Sequence, residues 1–109
     1  MPDALIEEAA RRFALLSDPT RLRILSALLE RETMTVTELA EALGITAPNV
    51  SQHLARLLSA RIVARQRDGR KLHYSVEDQS LQALCELVCS SLREQAERLQ
   101  PDWSRKAAG

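Results

Sequence analysis

Aromatic residues make up 3% of the 109-residue sequence, and glycine occurs three times. With so few rings, the core of a chain that is 45% hydrophobic has to be built from Leu, Ala, Val and Ile. The scarcity of glycine favours helix over sheet. The two cysteines, Cys85 and Cys89, sit four residues apart, a spacing seldom used for structural bridges, so no disulfide scaffold is expected. No apolar run approaches the roughly 20 residues of a membrane span. The N-terminal stretch MPDALIEEAARR is acidic and amphipathic rather than basic and then apolar, so no signal peptide is expected and a reducing cytoplasm is the simple reading. No Gly-rich phosphate loop, nucleophile–base pair or spaced acid pair stands out, which argues against an enzyme. The neighbouring carboxylates Glu7-Glu8 and Glu77-Asp78 point apart on a helix and read as solvated surface. The length suits one domain, expected over residues 1–101, with a disordered tail at 102–109. A domain of this size is only marginally stable alone, which makes a dimer plausible.

Net charge is also absent, with 15 basic and 15 acidic side chains, but the balance is local rather than uniform. Residues 1–45 carry five Arg against eight acids, a net −3. Residues 46–73 carry five Arg and one Lys against Asp68 alone, a net +5, and residues 74–109 return to −2. One basic block in a neutral chain suggests that a polyanion binds there.

The periodicity predicts where that block lies. Leu5, Ile6, Ala9, Ala10, Phe13 and Leu16 recur at helical spacing from about Ala4 to Leu16. Asp18-Pro19 starts a second helix as cap and first residue, with Leu22, Ile24, Leu25, Leu28 and Leu29 as its buried positions. A third helix runs from Thr37 to Leu43, stopped by a left-handed Gly44. Thr46 caps a fourth, whose buried stripe is Val50, Leu54, Leu57 and Leu58. Asn49, Gln52 and Arg56 fall on the opposite side, with Ser51 and His53 at the margins. IVARQR and KLHYSV then flank Asp68-Gly69, a composition suited to a two-residue type I′ hairpin turn. A long last helix is expected from Glu77 to Leu99, ended by Pro101, with Leu81, Leu84, Cys85, Val88 and Leu92 along one face.

Two short helices joined by Gly44-Ile45-Thr46 and followed by a hairpin describe a winged helix-turn-helix. The expected fold is mainly α, with five helices and a two-stranded wing. The first helix of the pair braces the second, which presents its polar side to the DNA major groove. Asn49 and Gln52 carry amides of the kind that read base edges, and Arg56 can reach a base or a phosphate. Arg65, Arg67, Arg70 and Lys71 on the wing would neutralise backbone phosphates. The alternative is a winged-helix protein-interaction module, which salt dependence separates from DNA binding.

DPTRLRILSALL (18–29), VTELAEALGITAPNVSQHLARLLSARIV (36–63) and RDGRKLHYSV (67–76) together resemble the ArsR/SmtB family of bacterial winged-helix repressors. The resemblance covers about Ala4 to Leu99. It implies a homodimer paired through its first and last helices, bound to an inverted-repeat operator of double-stranded DNA and released by an effector. It also implies that Asn49, Ser51, Gln52 and His53 face DNA. Ala47 stands where many members have Gln, so no operator sequence carries over. His53 reads equally well as a ring packed on the margin of the apolar stripe, and His73 as structural.

The family's sensor sites are each altered in this chain. Thr35 and Thr37 replace a Cys-x-Cys at the third helix. Of a zinc-type site on the last helix, Asp78 and Glu94 remain as carboxylates, while Ser80 and Ser91 replace both imidazoles. Arg56 and Ala60 occupy the places of cysteines around the recognition helix, and Ser26 stands near that of a redox cysteine. Cys85-x-x-x-Cys89 is left, one helical turn apart, as an expected site for a soft metal ion or metalloid if the last helices pair. Plain packing of two small apolar side chains is the first reading of this pair, the soft-ion site the second and oxidation chemistry the third, and no resident cofactor is implied.

Overall fold

The computed structural model describes residues 1–99, so the expected stop at Pro101 and the tail from Asp102 lie outside the described residues. The chain is mainly α with one hairpin, in the order α1 (Asp3–Leu16), α2 (Pro19–Arg31), α3 (Val36–Leu43), α4 (Ala47–Ser59), β1 (Val63–Asp68), β2 (Lys71–Val76) and α5 (Gln79–Leu99). It divides after Asp78 into two compact units.

In the first unit the helix starts follow local chemistry. Asp18 stays extended and its carboxylate accepts the Arg21 N–H at 3.0 Å, with Pro19 in the first turn where its missing N–H costs nothing. Thr46 caps α4 in the same way by accepting the Asn49 N–H at 3.3 Å. Helix α3 begins at Val36, one residue before the expected Thr37, because Thr35 and Glu38 form a reciprocal capping box. Gly44 ends α3 in the left-handed conformation, at φ 67° and ψ 33°.

The hydrogen bonds to the Asp18 and Glu38 carboxylates hold both groups below their ordinary values of 3.8 and 4.5. The leading cause is the Arg21 N–H for Asp18 and the Thr35 N–H for Glu38. A lowered native pKa stabilises above the unfolded value and is lost as the pH falls through the native one. The urea midpoint is therefore expected to decline once the pH drops below 4.5 and 3.8, and an Asp18→Asn/Glu38→Gln variant should show a flatter acid limb.

The C-terminus of α4 is a Schellman motif, with the Ile62 N–H donating to Leu57 O and the Arg61 N–H to Leu58 O, both at 3.0 Å. Arg61 sits at φ 60°, where glycine is usual. A side chain costs about 1 kcal/mol in that region, so Arg61→Gly should stabilise the fold by about that amount, read as a higher urea midpoint. At the end of α2, Glu32 (φ 69°, ψ −57°) closes a tight turn in which the Thr33 N–H reaches Arg31 O at 2.8 Å.

Met34 follows this turn and exchanges two backbone hydrogen bonds with Tyr74 of β2, at 3.0 and 2.8 Å. The core gathers Ile24, Leu25 and Leu28 of α2, Met34, Leu39 of α3, Val50, Leu54 and Leu57 of α4, and Ile62-Val63, all at most 1% exposed. Leu22 is exposed, and Leu29 and Leu58 are half-buried, so the predicted stripes are narrower than expected.

The hairpin turn lies one residue later than predicted. Asp68 pairs with Lys71, and Gly69-Arg70 makes the connection. Only Gly69, at φ 65°, has positive φ, which suits a type II′ turn; type I′ needs it at both positions. The last rung therefore sets opposite charges across from each other.

In the second unit, α5 begins at Gln79 rather than Glu77. Leu81 is buried, Leu84 and Cys85 are half-buried, and Leu87, Val88 and Leu92 are exposed.

Candidate nucleic-acid interface

The Thr46 cap fixes where α4 starts, and the buried triplet Val50, Leu54 and Leu57 fixes how it is rotated. At 100° per residue, Asn49, Gln52 and Arg56 then fall within about 60° of one another on the far side. All three are exposed, as is Ser51. No side-chain partner within the chain occupies Asn49, Gln52 or Arg56 among the described residues, so their donors and acceptors face outward.

His53 behaves differently. It is half-buried, and its Nδ1 accepts the Arg21 Nε–H at 3.2 Å. Arg21 also donates through Nη1 to Leu15 O at 3.2 Å, while its own N–H bonds the Asp18 cap. The ring thus tethers α4 to α2. The sequence reading missed Arg21, although its place in the first turn after the Asp18 cap, within DPTRLRIL, is a local cue.

The wing separates its cations. Arg65 stands across from Tyr74 and Arg67 across from Leu72, so both arginines project from one face, two residues apart. Lys71 lies on the other face and Arg70 at the tip, all four exposed. His73 is half-buried opposite Gln66.

The candidate effector residues are not gathered in one cluster. Asp78 is held by Arg12 at 2.9 Å and Glu94 by Arg98. Cys85 is half-buried and Cys89 exposed. Burial first, and then the neighbouring Cys89, push the Cys85 thiol up, the opposite of what a reactive thiolate needs. Among the described residues, no group of three or more His, Cys, Asp or Glu could hold a metal ion, and no helix is long and apolar enough to cross a membrane.

Residues 18–65 match the profile described as bacterial regulatory protein, arsR family. The HTH-type transcriptional regulator KmtR of Mycobacterium tuberculosis is 43% identical over 84 residues, which is 77% of this chain and 64% of that protein. The crystal structure of the AntR antimony-specific transcriptional repressor superposes with a TM-score of 0.79 at 36% identity, over 89% of this chain and 86% of that one. The chain belongs to the ArsR family.

A second structure shares the fold at a TM-score of 0.79 and 28% identity, over 92% of this chain and 94% of that one. It is the homodimeric winged helix-turn-helix DNA-binding domain Mb0332 of Mycobacterium bovis, described as a possible ArsR-family regulator. The expected five helices and two-stranded wing are therefore those of the family. In this ArsR-family chain the matched segment runs from the Asp18 cap to Arg65, taking in α2, α3, the outward face of α4 and the first wing arginine. The family is one of transcriptional regulators rather than enzymes.

Proposed function

We propose that this protein is a transcriptional repressor that binds an inverted-repeat DNA operator as a homodimer in the cytoplasm. The observation that carries the reading is the open face of α4, where Asn49, Gln52 and Arg56 are aligned and outward beside a wing with four exposed cations. Asn49, Ser51 and Gln52 read base edges in the major groove. Arg56, Arg65, Arg67, Arg70 and Lys71 neutralise phosphates. His53 acts chiefly by holding α4 against Arg21.

Pairing of two copies is supported by the apolar side chains left open on α1 (Leu5, Ile6, Phe13) and on α5 (Leu87, Val88, Leu92). Two α4 helices held this way enter major grooves about one helical turn apart.

The effector we assign is a soft metal ion or metalloid at Cys85 and Cys89. Two thiols on one chain are too few ligands, and a second copy of α5 would supply the others. Because the Cys85 thiol is pushed up, binding must displace a proton and should strengthen as the pH rises. The same shift disfavours redox sensing. The former zinc-type positions Asp78 and Glu94 are engaged by arginines and contribute least.

Fluorescence anisotropy of the reduced protein on the DNA upstream of its own gene tests both parts. Binding should weaken steeply with salt. As(III), Cd(II) or Cu(I) should release the DNA, with Zn(II) and Ni(II) far less effective, and a Cys85→Ser/Cys89→Ser variant should hold DNA through the same titration. Salt-insensitive or absent binding would overturn the repressor, and equal release of that variant would overturn the cysteine site.

A further inference from the structure

Between α1 and α4 lies an open groove of about 530 Å³, joined by a recess of about 490 Å³ that shares Arg11, Leu15 and Arg56 with it. Ala14, Leu15, Ala55 and Ala60 supply the apolar part of its lining, and Ser59 adds a hydroxyl. Its walls carry four guanidinium groups, from Arg11, Arg12, Arg21 and Arg56, with Glu8 the one acid among the lining residues.

Three of those groups are already fixed. Arg11 donates to Glu8 at 2.9 and 3.0 Å, Arg12 to Asp78 at 2.9 Å, and Arg21 to Leu15 O and His53 Nδ1, each at 3.2 Å. Each guanidinium has five N–H donors, so every one of them keeps donors to spare. Arg56 has no side-chain partner among the described residues. The Asp18 carboxylate nearby is turned to the backbone, capping α2. Cations already held in place lose little freedom when an anion arrives.

We propose that this groove is a phosphate-binding site, in which Arg11 and Arg56 grip the anion from α1 and α4 while Arg21 lines its inner end. The phosphate is either that of a free phosphorylated or polyphosphate anion or that of a DNA backbone running off the reading face, with which the groove shares Arg56. The DNA arm rests on the repressor reading above; the free-anion arm does not.

The test titrates inorganic pyrophosphate into the full-length protein at constant ionic strength and follows the arginine Nε–Hε resonances. Saturable shifts in Arg11, Arg21 and Arg56, with wing Arg65 and Arg67 unmoved, are expected. Arg11→Gln/Arg56→Gln should weaken pyrophosphate at least tenfold with an unchanged circular dichroism spectrum. Arg11→Gln alone, which lies off the reading face, is then placed on DNA. A saturable pyrophosphate response with unchanged DNA affinity assigns a free anion. No saturable response, but a sequence-independent loss of DNA affinity and a salt slope shallower by about 1, assigns the DNA backbone. A wild-type protein that takes pyrophosphate but ignores DNA would sink the repressor reading and leave the groove standing. Shifts spread equally over the wing, or no effect in either titration, would overturn the site.

Discussion

Leu54→Ala is expected to lower the unfolding free energy by about 3 kcal/mol. Leu54 is 1% exposed and stands in the middle of the α4 stripe, between Val50 and Leu57, both fully buried. The truncation leaves a cavity in a close-packed core, so the lost transfer energy and the void add together. A domain of this size has roughly 5–15 kcal/mol in total, so the loss is a large share of what holds the fold. Urea unfolding should show a lower midpoint at unchanged slope. Half-buried Leu58, one residue beyond that stripe, is the control, and Leu58→Ala should cost less than half as much. Equal losses at the two positions would mean that α4 is rotated differently about its axis.

The second large effect falls on recognition. On the proposed reading, Asn49→Ala/Gln52→Ala removes two amides that face base edges, where one good contact is worth about 1–3 kcal/mol. Affinity for the operator should fall about a hundredfold or more, while affinity for unrelated DNA and the salt slope stay as they were. Arg65→Gln/Arg67→Gln should behave in the opposite way, weakening all DNA alike and making the salt slope shallower by about 2. Both variants touch exposed side chains, so their melting curves should match wild type. A pair of variants that lost affinity to the same extent on all sequences would show that α4 does not read bases.

Much of this arrangement was legible in the sequence because it is local. Asp18, Thr46 and Gly44 announce helix ends through chemistry contained within a few residues, and all three act as expected. The Val50-Leu54-Leu57 stripe fixes the rotation of α4, so the outward set Asn49, Gln52 and Arg56 followed from period alone. What stayed hidden is tertiary or breaks a residue rule. The Schellman end of α4 has Arg61 where glycine is the cue, and the capping box at Thr35 shifted α3 by one residue. Asp68-Gly69 carries a strong turn signature, yet the ladder that sets Val63 against Val76 and Arg65 against Tyr74 places the turn at Gly69-Arg70. The tie between Arg21 and His53 joins residues 32 apart in sequence, and no spacing rule predicts it. The apolar faces of α1 and α5 were legible from period, but spacing alone does not say that Leu5, Ile6, Phe13, Val88 and Leu92 are open in the single chain.

The double hydrogen bond between Met34 and Tyr74 works as a splice between the α2–α3 connection and the root of the hairpin. Tyr74 is buried there and Met34 wholly so. The wing is thereby stitched at both ends, through Ile62-Val63 to the end of α4 and through Tyr74 to the segment that leads into α3. It cannot swing as an independent flap. A push on the hairpin is passed through the stitch to the helix pair, as a handle turns the blade fixed to it. A force that moves the wing must therefore move the helix pair with it, and an insertion of one glycine beside Met34 would turn the handle into a hinge.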